Sequence, residues 1–143
     1  WNKEPRTLQQ EMQNVRCRGG RTQILRVLQH ARRQISSEKI EAVVFVGDCC
    51  EESPPELYAC AGELGLFQLP VFVFQEGHDP HAKQVFQQIA RRSRGAYARF
   101  VPGSAKELAA LLGAVVAYAT QGKKAVSQLA SAEARHLLKQ LPP

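Results

Sequence analysis

Two short runs constrain the fold more than any other feature: AVVFV at residues 42–46 and LPVFVF at residues 69–74. Each is continuously apolar rather than alternating, and β-branched or aromatic residues dominate both. A strand that reads this way is covered on both faces, which is the habit of parallel sheets flanked by helices. A third run, GAYARF at 95–100, has the same character. Between them lie stretches with helical spacing, so the order of elements alternates helix and strand. That order predicts parallel strands joined by right-handed crossovers in a layered α/β domain.

The helical stretches carry their own punctuation. A short helix with a thin apolar face is expected over 6–14, then a loop at 16–20, RCRGG. Thr22 opens a helix in which Ile24, Leu25, Val27, Leu28, Ala31 and Ile35 recur at three- and four-residue spacing. Ser53-Pro54-Pro55 can cap and start the next helix, which is expected to run to about Leu64 and stop at Gly65. Asp79-Pro80 reads as an N-cap followed by proline, opening a helix to about Arg92. Ser104 caps a long helix ending near Gly122, and one further helix is expected over 124–140. The domain is thus drawn over residues 1–122, with 123–143 as a C-terminal helical extension. Arg91-Arg92 and Lys123-Lys124 read as solvated helix ends.

Three strands are few for a doubly wound sheet, and the chain opens on Trp1 with its only methionine at position 12. The expectation is a sheet incomplete at its N-terminal side, with earlier strands upstream. In that case the 42–46 strand exposes its pairing groups and invites another chain.

Composition narrows the class. At 44% hydrophobic and 22% charged, the 143 residues suit one globular core rather than a disordered chain. No run of about 18 apolar residues is present and no signal peptide is recognisable, so a soluble, cytoplasmic protein without a membrane partner is expected. Of four cysteines, Cys49 and Cys50 are adjacent, and Cys17 and Cys60 stand alone. Neither a disulfide framework nor zinc spacing results, which suits a reducing compartment. Residues 1–39 hold nine Lys and Arg against three Glu, which accounts for the whole formal charge of +6. A basic segment can meet nucleic acid or an acidic protein, yet no interleaved aromatic platform accompanies it.

In open α/β sheets, ligands bind beyond the carboxyl ends of the strands. Those ends present Gly47-Asp48, then Glu76-Gly77-His78-Asp79, and the loop Gly19-Gly20-Arg21-Thr22 is expected on the same rim. A threonine hydroxyl with a carboxylate suits a hard divalent cation, although two donors make only part of a site.

GGRTQILRVLQHA, AVVFVGDCCEE, LPVFVFQEG, IARRSRGAYARF and LAALLGAVVAYA, in this order, resemble the second half of a von Willebrand factor type A (VWA) domain of the bacterial intracellular kind. The resemblance covers about residues 6–122. It implies a three-layer, Rossmann-like parallel sheet and a metal-ion-dependent adhesion site holding Mg²⁺ or another divalent cation. It assigns Thr22 and Asp48 as metal donors. Gly20, Arg21, Glu51, Glu76 and His78 become the partner-binding rim. The Asp-x-Ser-x-Ser loop that completes such sites is absent from these residues, so the metal is conditional on an upstream segment. The implied role is non-enzymatic protein interaction, with an acidic protein or an AAA+ ATPase as partner, in adaptor work or metal-centre assembly.

Other readings of the same residues compete. Asp48 also suits a plain strand-end turn, and Thr22 a plain N-cap, a role compatible with metal binding. Cys49 or Cys50 near a helix N-terminus suggests a thiol-dependent enzyme, with His78 or His81 as base. His78, Asp79 and His81 match no zinc spacing, and Asp79-Pro80 is better explained as helix entry. Glu51 and Glu52 read most simply as first-turn acids of the helix that follows them. The basic N-terminal segment leaves a nucleic-acid accessory domain as a further alternative. A small-molecule substrate finds no support.

Overall fold

Valine and phenylalanine fill β1 (Val43–Gly47) and β2 (Val71–Glu76), which pair in parallel with Val43 beside Val71 and Gly47 beside Gln75. β3 (Tyr97–Phe100) pairs in parallel on the other side of β2, Val73 beside Tyr97. The strand order is β1-β2-β3, with β2 central and buried from Val71 to Gln75. This arrangement comes from a computed structural model that describes residues 4–15 and 21–142. Gly19, Gly20 and Cys17, named above, lie outside the described residues.

Helices pack on both faces. On one face, α2 (Ile24–Gln34), α3 (Pro54–Leu66) and α4 (Pro80–Arg92) bury Ile24, Leu28, Leu57, Leu64, Phe86 and Ile89 against Val71 and Val73. On the other, α5 (Ala105–Gln121), α6 (Lys123–Ser127) and α7 (Ala132–Leu138) close over Phe72, Phe74, Ala98 and Phe100. Alternate side chains of β2 feed opposite cores, which is why the run must be apolar at every position. The class is α/β with a parallel sheet. No helix among the described residues is long and apolar enough to cross a membrane. The first helix, α1 (Pro5–Gln13), has Leu8 and Met12 exposed.

Several boundaries differ from expectation, each for a physical reason. Gly65 lies inside α3 rather than ending it. A Cβ there would stand 2.3 Å from the carbonyl oxygen of Arg92, so glycine permits α3 and the end of α4 to touch. Gly95 plays the same part at the approach to β3, where a Cβ would stand 2.0 Å from the Val71 oxygen. The expected helix over 124–140 is two helices. Ser131 accepts the Ala134 N–H at 3.0 Å and starts α7 afresh. Both pieces pack on the sheet, α6 through Val126 and α7 through Ala134 and Leu137, and Leu141 beyond α7 joins the same core. Lys123 is no solvated end either. Its Nζ donates to the carbonyls of Leu141 at 2.9 Å and Pro142 at 3.1 Å, fastening the C-terminal turn. Arg92 is also engaged, stacked 5.0 Å over the Tyr58 ring.

The two outer strands end differently. On β3, the Gln140 side chain reproduces a strand partner: its Oε1 accepts the Tyr97 N–H at 2.9 Å and its Nε2 donates to the Tyr97 carbonyl at 2.8 Å. On β1, Val43 donates to Pro70, so Val44 and Val46 turn their backbone groups outward. Among the described residues no strand stands beside them.

Candidate functional site

The end of β1 and the start of α2 meet at one corner of the sheet. The chain leaves β1 at Gly47 and runs through Asp48-Cys49-Cys50-Glu51-Glu52 before α3 begins at Pro54. That loop turns back toward α2. Glu51 accepts the Thr22 N–H at 3.1 Å, and the Thr22 hydroxyl lies 3.5 Å from Cys49 Sγ. Glu52 accepts the N–H groups of Ile24 and, at 3.0 Å, Leu25.

These bonds correct two expectations. The α2 cap is not Thr22: the helix begins at Ile24 with Gln23 before it, and no side chain of Gln23 caps it. The Glu52 carboxylate takes that role from outside, placing negative charge where helix N–H groups are unpaired. Glu51 and Glu52 therefore serve the helix preceding β1, not the one that follows them. Ser53, adjacent to α3, makes no side-chain capping bond.

Thr22 is thus freed from capping, and its hydroxyl faces the β1 exit as the sequence suggested. Asp48 is exposed beside Cys49. Arg21 and Glu51 are exposed at the same corner. The remaining rim residues belong to a neighbouring corner. Glu76, at the end of β2, accepts the Gly103 N–H at 3.2 Å. His78 lines a cavity of about 290 Å³ with Arg99, Glu107 and Glu133. No hydrogen bond among the described residues joins this second group to Thr22 or the 48–52 loop. Asp79 caps α4 by accepting the Ala82 N–H, as its position before Pro80 implied.

A divalent cation such as Mg²⁺ takes about six oxygen donors. Thr22 and Asp48 offer two, and the Glu51 carboxylate is already engaged by the Thr22 N–H. Among the described residues no three His, Cys, Asp or Glu side chains gather as a metal-holding group. The residues present do not by themselves make a closed metal site.

Burial and nearby carboxylates act on all three described thiols. The Thr22 hydrogen bond draws the Cys49 thiol down, but Asp48, Glu51 and burial outweigh it and leave the group above its ordinary value. Burial, with Glu52, Cys49 and Asp79 nearby, pushes Cys50 up against the opposing Glu52 backbone contact. Burial raises Cys60 as well. A raised thiol is protonated at neutral pH and reacts slowly. Among the described residues the partners of these thiols are Thr22 for Cys49 and the Glu52 carbonyl for Cys50, and no histidine hydrogen-bonds to either.

One buried polar chain was not anticipated. Gln75, fully buried in β2, accepts the Tyr97 hydroxyl at 2.6 Å and donates to the Asp79 carbonyl at 2.8 Å. It ties β2, β3 and the start of α4 together beneath the rim. The signal available in the sequence was a single polar residue closing the VFVFQ run. Compared with protein-family models, curated proteins and solved structures, the chain matches none.

Proposed function

We propose that the chain is a non-enzymatic protein-interaction domain of the VWA kind, with a three-layer Rossmann-like plan. Its recognition corner is formed by Thr22 and the Asp48 loop. The supporting observation is the stitched contact between them: Thr22 N–H to Glu51 at 3.1 Å and Thr22 Oγ1 to Cys49 Sγ at 3.5 Å. This corner lies at the carboxyl edge of a parallel sheet, where such folds take ligands.

In this reading Thr22 and Asp48 are two of the oxygen donors to Mg²⁺ or a similar cation. The others would come from an Asp-x-Ser-x-Ser segment, which residues 1–143 do not contain. When bound, the ion supplies an open coordination position for a carboxylate. The protein's own part is to hold Thr22 with its hydroxyl turned toward the loop and to keep Asp48 accessible. Glu51 and Glu52 fix the loop through backbone N–H groups. In the same reading the partner is an acidic protein, met by the bound cation with Arg21 exposed at the rim, or an AAA+ ATPase, in adaptor work or metal-centre assembly.

Calorimetric titration of Mg²⁺ and Mn²⁺ tests this. In a longer form of the chain carrying an Asp-x-Ser-x-Ser segment, binding is expected and Asp48→Ala should abolish most of it. Thr22→Val should weaken it by about tenfold or more, since losing even an outer-shell partner of a metal ligand costs about that much. Residues 1–143 alone should bind very weakly. Equal heats from the parent and Asp48→Ala would remove Asp48 from any metal site.

A further inference from the structure

Along the outer flank of β3, helices α4 and α7 leave a groove. Two cavities of about 490 and about 610 Å³ share Gln87 and Gln140 and so adjoin as one depression. The cations on its walls are Lys83, Arg91, Arg94, Arg99 and Lys139, while Glu133 is the carboxylate that opposes them. All five cationic side chains are exposed. Among the described residues the ion pairs are Arg32 with Glu63 and Lys39 with Glu41, so none of the five is neutralised by a carboxylate.

This concentration was invisible along the chain, where residues 40–143 are neutral. It arises because α4 contributes Lys83 and Arg91, its exit turn Arg94, β3 contributes Arg99 and the end of α7 contributes Lys139. Opposite charges of the same stretch are placed elsewhere: Glu52 on α2, Glu63 toward Arg32, Glu76 on Gly103, Glu107 on Val101. A depression lined by unneutralised charge of one sign concentrates ligands of the other.

We propose that this groove binds an extended acidic segment of a partner protein. Its five cations are spread over two adjoining cavities rather than converging on one point, which favours a chain with repeated carboxylates over a compact anion. Its polar uncharged lining includes free amides: the side chains of Gln87 and Gln88 make no hydrogen bond among the described residues and present both donors and acceptors, the complement of a peptide backbone. Of its two aromatic rings, Tyr97 is 7% exposed with its hydroxyl turned inward to Gln75, and His136 lies 3.2 Å from the Tyr97 carbonyl through Nε2, so no row of free aromatic faces serves nucleic-acid bases. The proposal does not rest on the metal reading of the Thr22 corner.

Fluorescence anisotropy with labelled octaglutamate, octaglutamine and octathymidylate tests it. Octaglutamate is expected to bind at about 50 mM salt and to weaken as salt rises. The Arg94→Glu, Lys139→Glu double variant should lose about tenfold or more in affinity. Arg26→Glu, Arg33→Glu changes net charge equally but lies on α2, away from the groove, and should bind like the parent. Circular dichroism of both variants confirms that each remains folded. Equal losses in the two variants, equal binding of octaglutamine, absence of octaglutamate binding, or tighter binding of octathymidylate would each overturn the proposal.

Discussion

The carboxylate of Glu52 accepts the backbone N–H of Leu25 at 3.0 Å, across a sequence separation of 27 residues. With the Ile24 bond beside it, this one side chain closes the start of α2 and fixes the exit of β1. Removing it unpairs two helix N–H groups and frees the loop that carries Asp48. Glu52→Ala is expected to cost about 1–2 kcal/mol, the range for a lost cap with its charge. Glu52→Gln keeps an acceptor and should cost less. Urea unfolding measures both, and an unchanged midpoint for Glu52→Ala would remove the capping role.

The two close-approach glycines give a sharper contrast. Gly65→Ala and Gly95→Ala place a Cβ within 2.3 and 2.0 Å of backbone oxygens that belong to packed elements and cannot easily retreat. Each is expected to destabilise by about 3 kcal/mol, the upper end for overpacking. Gly62→Ala, in the same helix as Gly65 but with nothing within 4 Å, should stabilise by about 0.5–1 kcal/mol. Thermal unfolding that ranks the Gly62 and Gly65 variants alike would contradict the close packing of α3 on the end of α4.

Tyr97→Phe deletes the hydroxyl that satisfies buried Gln75 Oε1 while leaving the ring in place. An unsatisfied buried acceptor costs about 1–3 kcal/mol. The loss should also loosen the start of α4, because Gln75 holds the Asp79 carbonyl. Hydrogen exchange is expected to quicken at Ala82 and Lys83 ahead of the sheet amides. Uniform quickening would mean that Gln75 does not couple the strand to the helix.

Stability should fall at alkaline pH. Cys50, Cys60 and Tyr97 are all raised in the fold, chiefly by burial, so the folded state favours their protonated forms. Their contribution is complete below the unfolded thiol value of about 8.5 and is lost as pH rises through the folded values. Urea midpoints between about pH 8 and pH 10 are expected to decline. Cys50→Ala with Cys60→Ala should flatten the earlier part of that decline. A double variant that declines as steeply as the parent would assign the effect elsewhere.

The strands were readable because burial on both faces writes itself as an unbroken apolar run, as in Val71 to Phe74. Thr22 and the β1 exit were placed at one corner by topology alone, since a helix feeding a parallel strand begins near that strand's far end. The destination of Glu51 and Glu52 was not readable. Two helix starts lie within their reach, and only packing decides that α2 receives them. Gly65 was misread as a stop because the same residue that ends helices also permits two backbones to touch, and its partner, Arg92, is far along the chain. The break at Ser131 was hidden among good helix formers. It is set by anchoring Val126 and Leu137 in one core from two short helices rather than one straight rod.

Gln140 answers both backbone groups of Tyr97 at the flank of β3 with its own amide, whereas Val44 and Val46 leave the flank of β1 without such a partner. The sheet therefore has a direction of growth. Among the described residues, β1 is the edge whose outward backbone groups no side chain covers, so a further strand, from whatever source, has an open hydrogen-bonding seat there. Its arrival would convert the AVVFV strand from margin to middle and enclose the Thr22 corner between neighbours on both sides.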